Sequence, residues 1–310
     1  TKENAEVKEI TKPTYGMKAT EYITNLLEYD GVGLKIDNTP DQNIRYYGSN
    51  PNNYVSFNNE LWRIIGVFGN NVKLVRSESL GKLSWDSSDP SVNYGYGVNE
   101  WSQADLQNYL NKMYYGGETV TCYSGSNNKT TTRPTGTIDE TSKSFIDNHS
   151  WNTVAIKIAE STDTLLFYQA ERGMVSGKSS CSDGDNCNDT VERTTTWTGY
   201  IALPYITDYA YASNESICET NMQAQDDSNN YICKNNNWIN NRSTWTWYLT
   251  PSIGSVGADR AWDILYNGSF GDTSTRFNFS VYPSIYLKNN VIIESGTGTS
   301  DNPYILKAGS

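Results

Sequence analysis

The chain has 310 residues, with 24 basic and 35 acidic side chains and a net charge of −11. That balance argues against nucleic-acid binding, which needs clustered Lys and Arg, and against a basic helix lying on a membrane. Hydrophobic residues at 36% plus 24 glycines exclude wholesale disorder, and the length admits two domains or one large β-rich one.

A polar stretch runs from Thr1 past Pro13 with no hydrophobic signal core; a leader or anchor ahead of it is compatible with this. Met17 to Tyr29 then sets Tyr22, Ile23, Leu26 and Leu27 on one face and predicts a short helix. Gly31, Gly33 and residues 37–41 read as loop. From residue 44 the character turns to β. Ile44–Tyr47, Tyr54–Phe57, Leu61–Phe68 and Val72–Arg76 predict a strand series. Asn58-Asn59 and Gly69-Asn70-Asn71 join these strands, and such residues tolerate the positive φ of tight hairpins. Ala104–Tyr114 predicts a helix, with Leu106, Tyr109, Leu110 and Met113 at i, i+3, i+4, i+7 and Ser102 as its N-cap. Residues 116–137 read as loop and Asp139–Asn148 as a second helix. Trp151–Ile158 and Thr164–Gln169 read as extended or mixed. Residues 173–196 form a polar insertion, Ile201–Tyr205 a buried segment and residues 213–243 a polar loop. The last third predicts strands at Trp245–Thr250, Arg260–Tyr266, Phe277–Leu287, Val291–Glu294 and Tyr304–Leu306. The outcome is an α+β arrangement whose N- and C-terminal strands meet in one sheet. Residues 1–43 read as an extension with one short helix, and 44–310 as the domain.

No stretch approaches 18 apolar residues, so no membrane span is expected. Five cysteines lie at 122, 181, 187, 218 and 233. Cys181 with Cys187 and Cys218 with Cys233 form local pairs in polar sequence and are expected as disulfides worth ~2–3 kcal/mol each. Disulfides place the chain outside the cytosol. Cys122 is left free or intermolecular. Enzymatic constellations are missing. His149, the one histidine, has no nucleophile motif beside it and reads as exposed filler. HExxH, Walker and dinucleotide patterns are absent, and acid pairs such as Asp226-Asp227 are adjacent, which suits neither strand geometry nor acid–base work. No cofactor is expected. Calcium is a weaker alternative at Asp183–Asp189, which has closely spaced oxygens but not the EF-hand order.

Asn occurs 35 times and Tyr 23 times, which an AT-rich genome explains without function; the nine Trp are not explained that way. Trp62, Trp85 and Trp101 lie in patterned apolar contexts and read as core. Trp262, Tyr266 and Phe270 sit in Gly/Ser/Asp-rich sequence. Together with Asp259, Arg260 and Asn267 they form the expected ligand-binding set, because aromatic and Arg anchors among small polar residues suit a recognition surface.

Several ordered phrases carry a resemblance. They are Asn59-Glu-Leu-Trp-Arg-Ile-Ile-Gly-Val-Phe68, Tyr96-Gly-Val-Asn-Glu-Trp-Ser-Gln-Ala-Asp-Leu-Gln-Asn-Tyr-Leu-Asn111, Trp197-Thr-Gly-Tyr-Ile-Ala-Leu-Pro204, Trp245-Thr-Trp-Tyr-Leu-Thr-Pro251 and Tyr282-Pro-Ser-Ile-Tyr-Leu-Lys288. Over residues 17–306 the chain resembles a functionally undefined family of gut Firmicutes surface proteins, often pilin-associated. Its core is similar to the C-type-lectin-like fold, in the branch that includes formylglycine-generating enzymes. The resemblance implies a C-type-lectin-like domain with long disulfide-stapled loops and an N-terminal helical extension, at the cell surface. Where the family usually has Gly-Val-Arg-Pro, this chain has Ser280-Val281-Tyr282-Pro283. The sugar-binding triplets of calcium-dependent lectins are absent. No cysteine follows Cys233, so formylglycine-generating activity is not implied. The expected function is a non-enzymatic, adhesin-like domain for a glycan or protein ligand. Deliberate genetic diversification of the C-terminal loops is compatible with it. The alternative is a structural pilin or filament subunit contacting sister subunits.

Overall fold

The computed structural model describes residues 10–88, 96–120, 122–124, 128–130, 136–157, 163–174, 191, 193–214, 216–220, 230–239, 244–254 and 257–309. Elements in the first half are α1 (Ala19–Tyr29), β1 (Leu34–Ile36), β2 (Ile44–Tyr46), β3 (Tyr54–Phe57), β4 (Glu60–Phe68), β5 (Asn71–Arg76), β6 (Lys82–Ser84), α2 (Asp105–Asn108), β7 (Cys122–Ser124), β8 (Asn128–Thr130), α3 (Glu140–Phe145) and β9 (His149–Asn152). Then follow β10 (Ile156–Lys157), α4 (Thr164–Glu171), β11 (Thr196–Gly199), β12 (Ile201–Ala202), α5 (Ile206–Tyr211), α6 (Ser216–Thr220), α7 (Asn230–Asn235), β13 (Thr246–Gly254), β14 (Gly257–Ile264), β15 (Phe270–Ser274), β16 (Asn278–Ser280), β17 (Ser284–Tyr286), β18 (Val291–Ser295) and β19 (Tyr304–Ala308).

The fold is mixed α+β and mostly sheet. A nine-stranded sheet runs β12-β17-β5-β4-β3-β19-β18, with β2 also on β4 and β1 on β2. N- and C-terminal strands do meet: β17 lies antiparallel to β5, and β19 parallel to β3. A second, six-stranded sheet runs β15-β14-β13-β16-β6, with β10 parallel to β13. Residues 58 and 59 turn β3 into β4 with φ of 58° and 54°, as the Asn pair predicts. A bulge between Ile64 and Gly66 lets β4 carry a third partner, β2. Gly66 is required there, because a Cβ would lie 2.0 Å from the Ile44 carbonyl oxygen.

Several elements differ from expectation. The 104–114 helix starts with a 3₁₀ turn at Trp101–Gln103, and α2 passes into a π-helical segment, Tyr109–Tyr115. Its apolar face is nevertheless the one predicted: Leu106, Tyr109, Leu110 and Met113 are buried. The cap is Glu100, which accepts from the Ser102 amide at 3.1 Å, instead of Ser102. Thr164–Glu171 is helical because Asp163 caps it, accepting from the Leu165 amide at 2.8 Å. Phe277–Leu287 is not one strand. Residues 281–283, ending in Pro283, carry the chain from β16 in one sheet to β17 in the other. The boundary at 43/44 falls between β1 and β2, which are paired, and Tyr22 and Ile23 of α1 enter the common core, so residues 10–43 pack as part of the same body.

The core is aromatic: Trp62, Trp85, Trp101, Trp151 and Trp247 are all buried, three of them as predicted. It also holds charge. Arg45 donates to Asp37 at 2.7 Å and to Asp208 at 2.9 Å, while Lys73 reaches the other Asp208 oxygen at 2.6 Å. Burial alone raises the Asp208 carboxyl, but Lys73, Arg45 and Arg172 overcome it and hold it at about 2. Burial pushes Lys73 down to about 8, with Asp208 opposing, so the pair stays ionised at neutral pH. His149 is not filler. Its ring stacks on Tyr286 at 3.7 Å, its Nδ1 is 2.9 Å from Asp147, and burial lowers its pKa.

Cys218 on α6 and Cys233 on α7 are disulfide-bonded and both buried, as expected. Cys181, Cys187 and Asp183–Asp189 lie outside the described residues. Cys122 starts β7, which pairs with β8.

Removing one member of a fully buried pair strands its partner, whereas exposed pairs contribute little. Asp208→Asn is therefore expected to lower stability in urea unfolding by ~3–5 kcal/mol. Lys307→Met, in the exposed pair with Glu294, changes it by less than about 1 kcal/mol. The Cys218→Ser/Cys233→Ser double variant, which opens a 15-residue separation, loses ~2–3 kcal/mol in the same assay.

Candidate functional site

Two adjoining cavities lie against the six-stranded sheet. The first, of about 560 Å³, lies between residues 96–98, residues 257–260 and the β15–β16 junction. The second, of about 460 Å³, is lined by Lys82, Trp245, Thr273, Phe277, Asn278 and Phe279. Thr273 and Phe277 line both.

The wall at 96–98 is held from two sides. Asp86 accepts from the Val98 amide at 2.7 Å and from the Asp105 amide at 2.9 Å. Burial pushes its carboxyl up to about 6, against those two amides. Gly97 lets the wall close on this anchor: a Cβ would sit 2.3 Å from the Asp86 carbonyl oxygen. From the other side the Asn99 amide donates to the Ala258 carbonyl at 2.7 Å. The Asn99 side chain donates to the Ser252 and Arg260 carbonyls at 2.7 and 2.6 Å.

Charged groups of this cavity are oriented. Arg260 donates to the Asp272 carbonyl at 2.8 Å and lies 3.6 Å from its carboxylate. The Ser274 hydroxyl donates to Asp259 at 2.9 Å. The Arg276 guanidinium stacks over the Tyr96 ring at 4.1 Å, with Phe277 at 5.4 Å.

The second cavity is aromatic. Residues 245 and 247, leading into β13, share a face, and so do 277 and 279, leading into β16. Trp247 and Phe279 form the buried end, with rings 4.4 Å apart. Trp245 and Phe277 continue that face into solvent, at 37% and 45% exposure. Trp245 packs on Phe279 at 4.9 Å, and Phe277 lies nearly parallel to it at 6.4 Å.

The six residues expected to bind ligand are divided by the strand geometry. Asp259 and Arg260 line the first cavity. Trp262 does not reach the surface: it is 2% exposed and packs against Phe167 of α4 at 5.2 Å and Phe270 at 5.4 Å. Phe270 is packed against the core from the same side. Strand alternation under a covering helix is the reason; the Gly/Ser/Asp-rich flanks are the strands of the β14–β15 hairpin. Tyr266, 56% exposed, and Asn267 occupy that hairpin's tip. A rise of about 3.3 Å per residue puts Ile264, where the tip begins, about 13 Å from Arg260 along the strand. Tyr96, Arg276, Phe277, Trp245 and Lys82 were not among the expected residues. The available signal was the pair of aromatic i, i+2 repeats, Trp245/Trp247 and Phe277/Phe279.

Among the described residues neither cavity is lined by His or Cys. Among the described residues no group of three His, Cys, Asp or Glu is placed to hold a metal, and no helix is long and apolar enough to cross a membrane. The arrangement offers hydrogen bonds, charge and aromatic faces.

Beneath it lies Asp263, fully buried, opposite Trp247 and Gly271 in the register. Among the described residues neither carboxylate oxygen has a partner at hydrogen-bond geometry. Burial pushes the group up to about 7, Thr273 only partly offsets this, Asp272 adds to it and Arg260 opposes it.

No family model matches the chain, and neither a curated protein nor a solved structure matches it.

The folded state keeps the Asp263 proton between the ordinary carboxyl pKa of 3.8 and about 7, while the unfolded chain loses it. Its stabilising contribution is therefore full below pH 4 and is lost as pH rises toward 7. Asp263→Asn is expected to raise the melting temperature by several degrees at pH 8 and to leave it unchanged at pH 4. Equal shifts at both pH values would contradict the buried ionisation.

Proposed function

We propose that the chain is a non-enzymatic binding domain of the extracellular cell surface, with a C-type-lectin-like fold. Its ligand site is the cavity lined by Asp259 and Arg260. The observation that carries this reading is the pinned, open cavity in which both side chains are oriented by neighbours and left accessible at one end of a sheet. Preorganised polar groups in a concave site favour recognition, because little rotamer freedom is lost on binding. The resemblance to gut Firmicutes surface proteins supports the fold and location. The Cys218–Cys233 disulfide supports an oxidising compartment.

The test is binding of the purified chain to glycan and mucin panels, with and without EDTA, beside an Asp259→Ala/Arg260→Ala variant. The expected result is binding that the double variant loses by about tenfold or more, with an unchanged melting temperature. The EDTA arm decides whether binding depends on calcium. Absence of binding to every panel member, with concentration-dependent self-assembly in light scattering, would favour a filament subunit instead.

A further inference from the structure

We infer that the second cavity is a subsite for a neutral saccharide, one pyranose ring stacking on Trp245 and Phe277 while Asn278, Thr273 and Lys82 hydrogen-bond its hydroxyls. This rests on the binding reading above and adds to it a ligand class and a subsite beside Asp259 and Arg260.

The aromatic surface is exposed and yet built. Trp245 is the most exposed of the nine tryptophans, and Phe277 is more exposed still. Two adjoining aromatic rings left in water are a cost that a ligand covering them would remove. Neither ring is loose. Phe279 backs both, its centroid 4.9 Å from Trp245 and 6.4 Å from Phe277, and it lies in turn on the buried Trp247 at 4.4 Å. Packing positions the rings before any ligand arrives, so little side-chain freedom is lost on binding.

The chemistry of the lining fits a sugar. Among the described residues its apolar part is aromatic throughout, formed by Trp245, Phe277 and Phe279. Flat ring faces suit a flat apolar partner better than a branched aliphatic one. A pyranose with equatorial hydroxyls presents C–H bonds on both ring faces, and their partial positive charge meets the negative face of an aromatic ring. Its hydroxyls then point outward, in the plane of the sugar, toward the groups that border the rings. Those groups are polar. The Ser84 hydroxyl donates to the Asn278 side-chain oxygen at 3.0 Å and so orients that amide across the β6–β16 pairing. Thr273 brings a hydroxyl and Lys82 an ammonium to the same cavity. A lipid chain or an apolar peptide face would desolvate these groups without giving them partners.

Charge favours a neutral ligand. Among the described residues Lys82 is the one charged side chain lining this cavity. In the adjoining cavity Arg260 has Asp272 at 3.6 Å, Asp259 shares the lining, and Asp86 stands behind the 96–98 wall. Cations there have carboxylates beside them and the chain as a whole carries −11, so an anion gains no steering toward the site. A volume of about 460 Å³ is within the range of small-ligand sites. Thr273 and Phe277 line both cavities, so a saccharide of several rings can continue from the aromatic subsite toward Asp259 and Arg260.

The test is calorimetric titration of the full chain in EDTA with four probes: cellohexaose, chitohexaose, an oligogalacturonate hexasaccharide and adenosine. Cellohexaose or chitohexaose is expected to bind about tenfold or more tightly than adenosine, a planar ring without the saccharide face, and at least as tightly as the acidic probe. Trp245→Ala is expected to weaken that binding by about tenfold, whereas Trp245→Phe, which keeps a ring face, holds it within about threefold. Asn278→Ala is expected to weaken it by about threefold or more at an unchanged melting temperature, and stays informative should Trp245→Ala disturb packing on Phe279. Tighter binding of adenosine or oligogalacturonate, or saccharide binding unaffected by both Trp245→Ala and Asn278→Ala, would overturn this inference. Binding lost in Asp259→Ala/Arg260→Ala but kept in the Trp245 and Asn278 variants would do so while leaving the wider reading intact. Failure of both neutral probes overturns the subsite, and the wider reading falls with it only if every glycan on the panels fails as well.

Discussion

Asp208 holds the molecule at its centre. It sits on α5, accepts from Arg45 of β2 on one oxygen and from Lys73 of β5 on the other, and also accepts from the Tyr205 amide at 2.9 Å. Arg45 turns in addition to Asp37, beyond β1. One carboxylate therefore fixes a helix to two strands of the nine-stranded sheet, and through Arg45 to the residue that follows β1. Buried charges need specific partners, so each of these elements has a single acceptable placement. The neighbouring Glu171 extends the constraint to the other sheet. It accepts from Thr207 on α5 and from Thr250 on β13, the latter at 2.7 Å. Helices α4 and α5 are thus bolted between the two sheets by polar contacts in an otherwise aromatic interior.

That bolt positions the candidate site from a distance. With β13 fixed to α4 at Thr250, α4 lies over β14 and covers Trp262 with Phe167. The part of the sheet under α4 becomes core. Two aromatic rows run out from the covered region, Trp247 to Trp245 and Phe279 to Phe277, and end in solvent. On the other side Asp86 and Gly97 bring the 96–98 wall against the sheet.

The sequence made most of the first sheet legible. Apolar β-rich runs joined by Asn/Gly turns marked β2 to β5, the Asn58-Asn59 turn and the burial of Trp62, and the amphipathic period marked α1. Local signals of this kind depend on neighbours within one turn or one hairpin. The site was only half legible. Asp259 and Arg260 were recognisable as polar anchors among small residues. Trp262 was misread because burial of a strand residue depends on what packs over it, and α4 is nearly 100 residues away in the chain. Residues 164–169 showed no clear helical face because the helix is buried on more than one side, so its apolar residues do not confine themselves to one stripe.

What the sequence determined by itself is the class of the molecule: an acidic, aromatic-rich α+β chain, its main strands and hairpins, and a local disulfide at Cys218–Cys233. Each follows from composition or from residues close in the chain. The tertiary structure alone decided which aromatic side chains are core and which face solvent. It also decided that Arg45, Lys73 and Asp208, 28 to 163 residues apart, meet, and that Lys82, Trp245 and Arg276 border one cleft. These are consequences of long-range packing. A buried charge needs its partner and an aromatic ring needs its cover, and neither partner nor cover is written next to it in the chain.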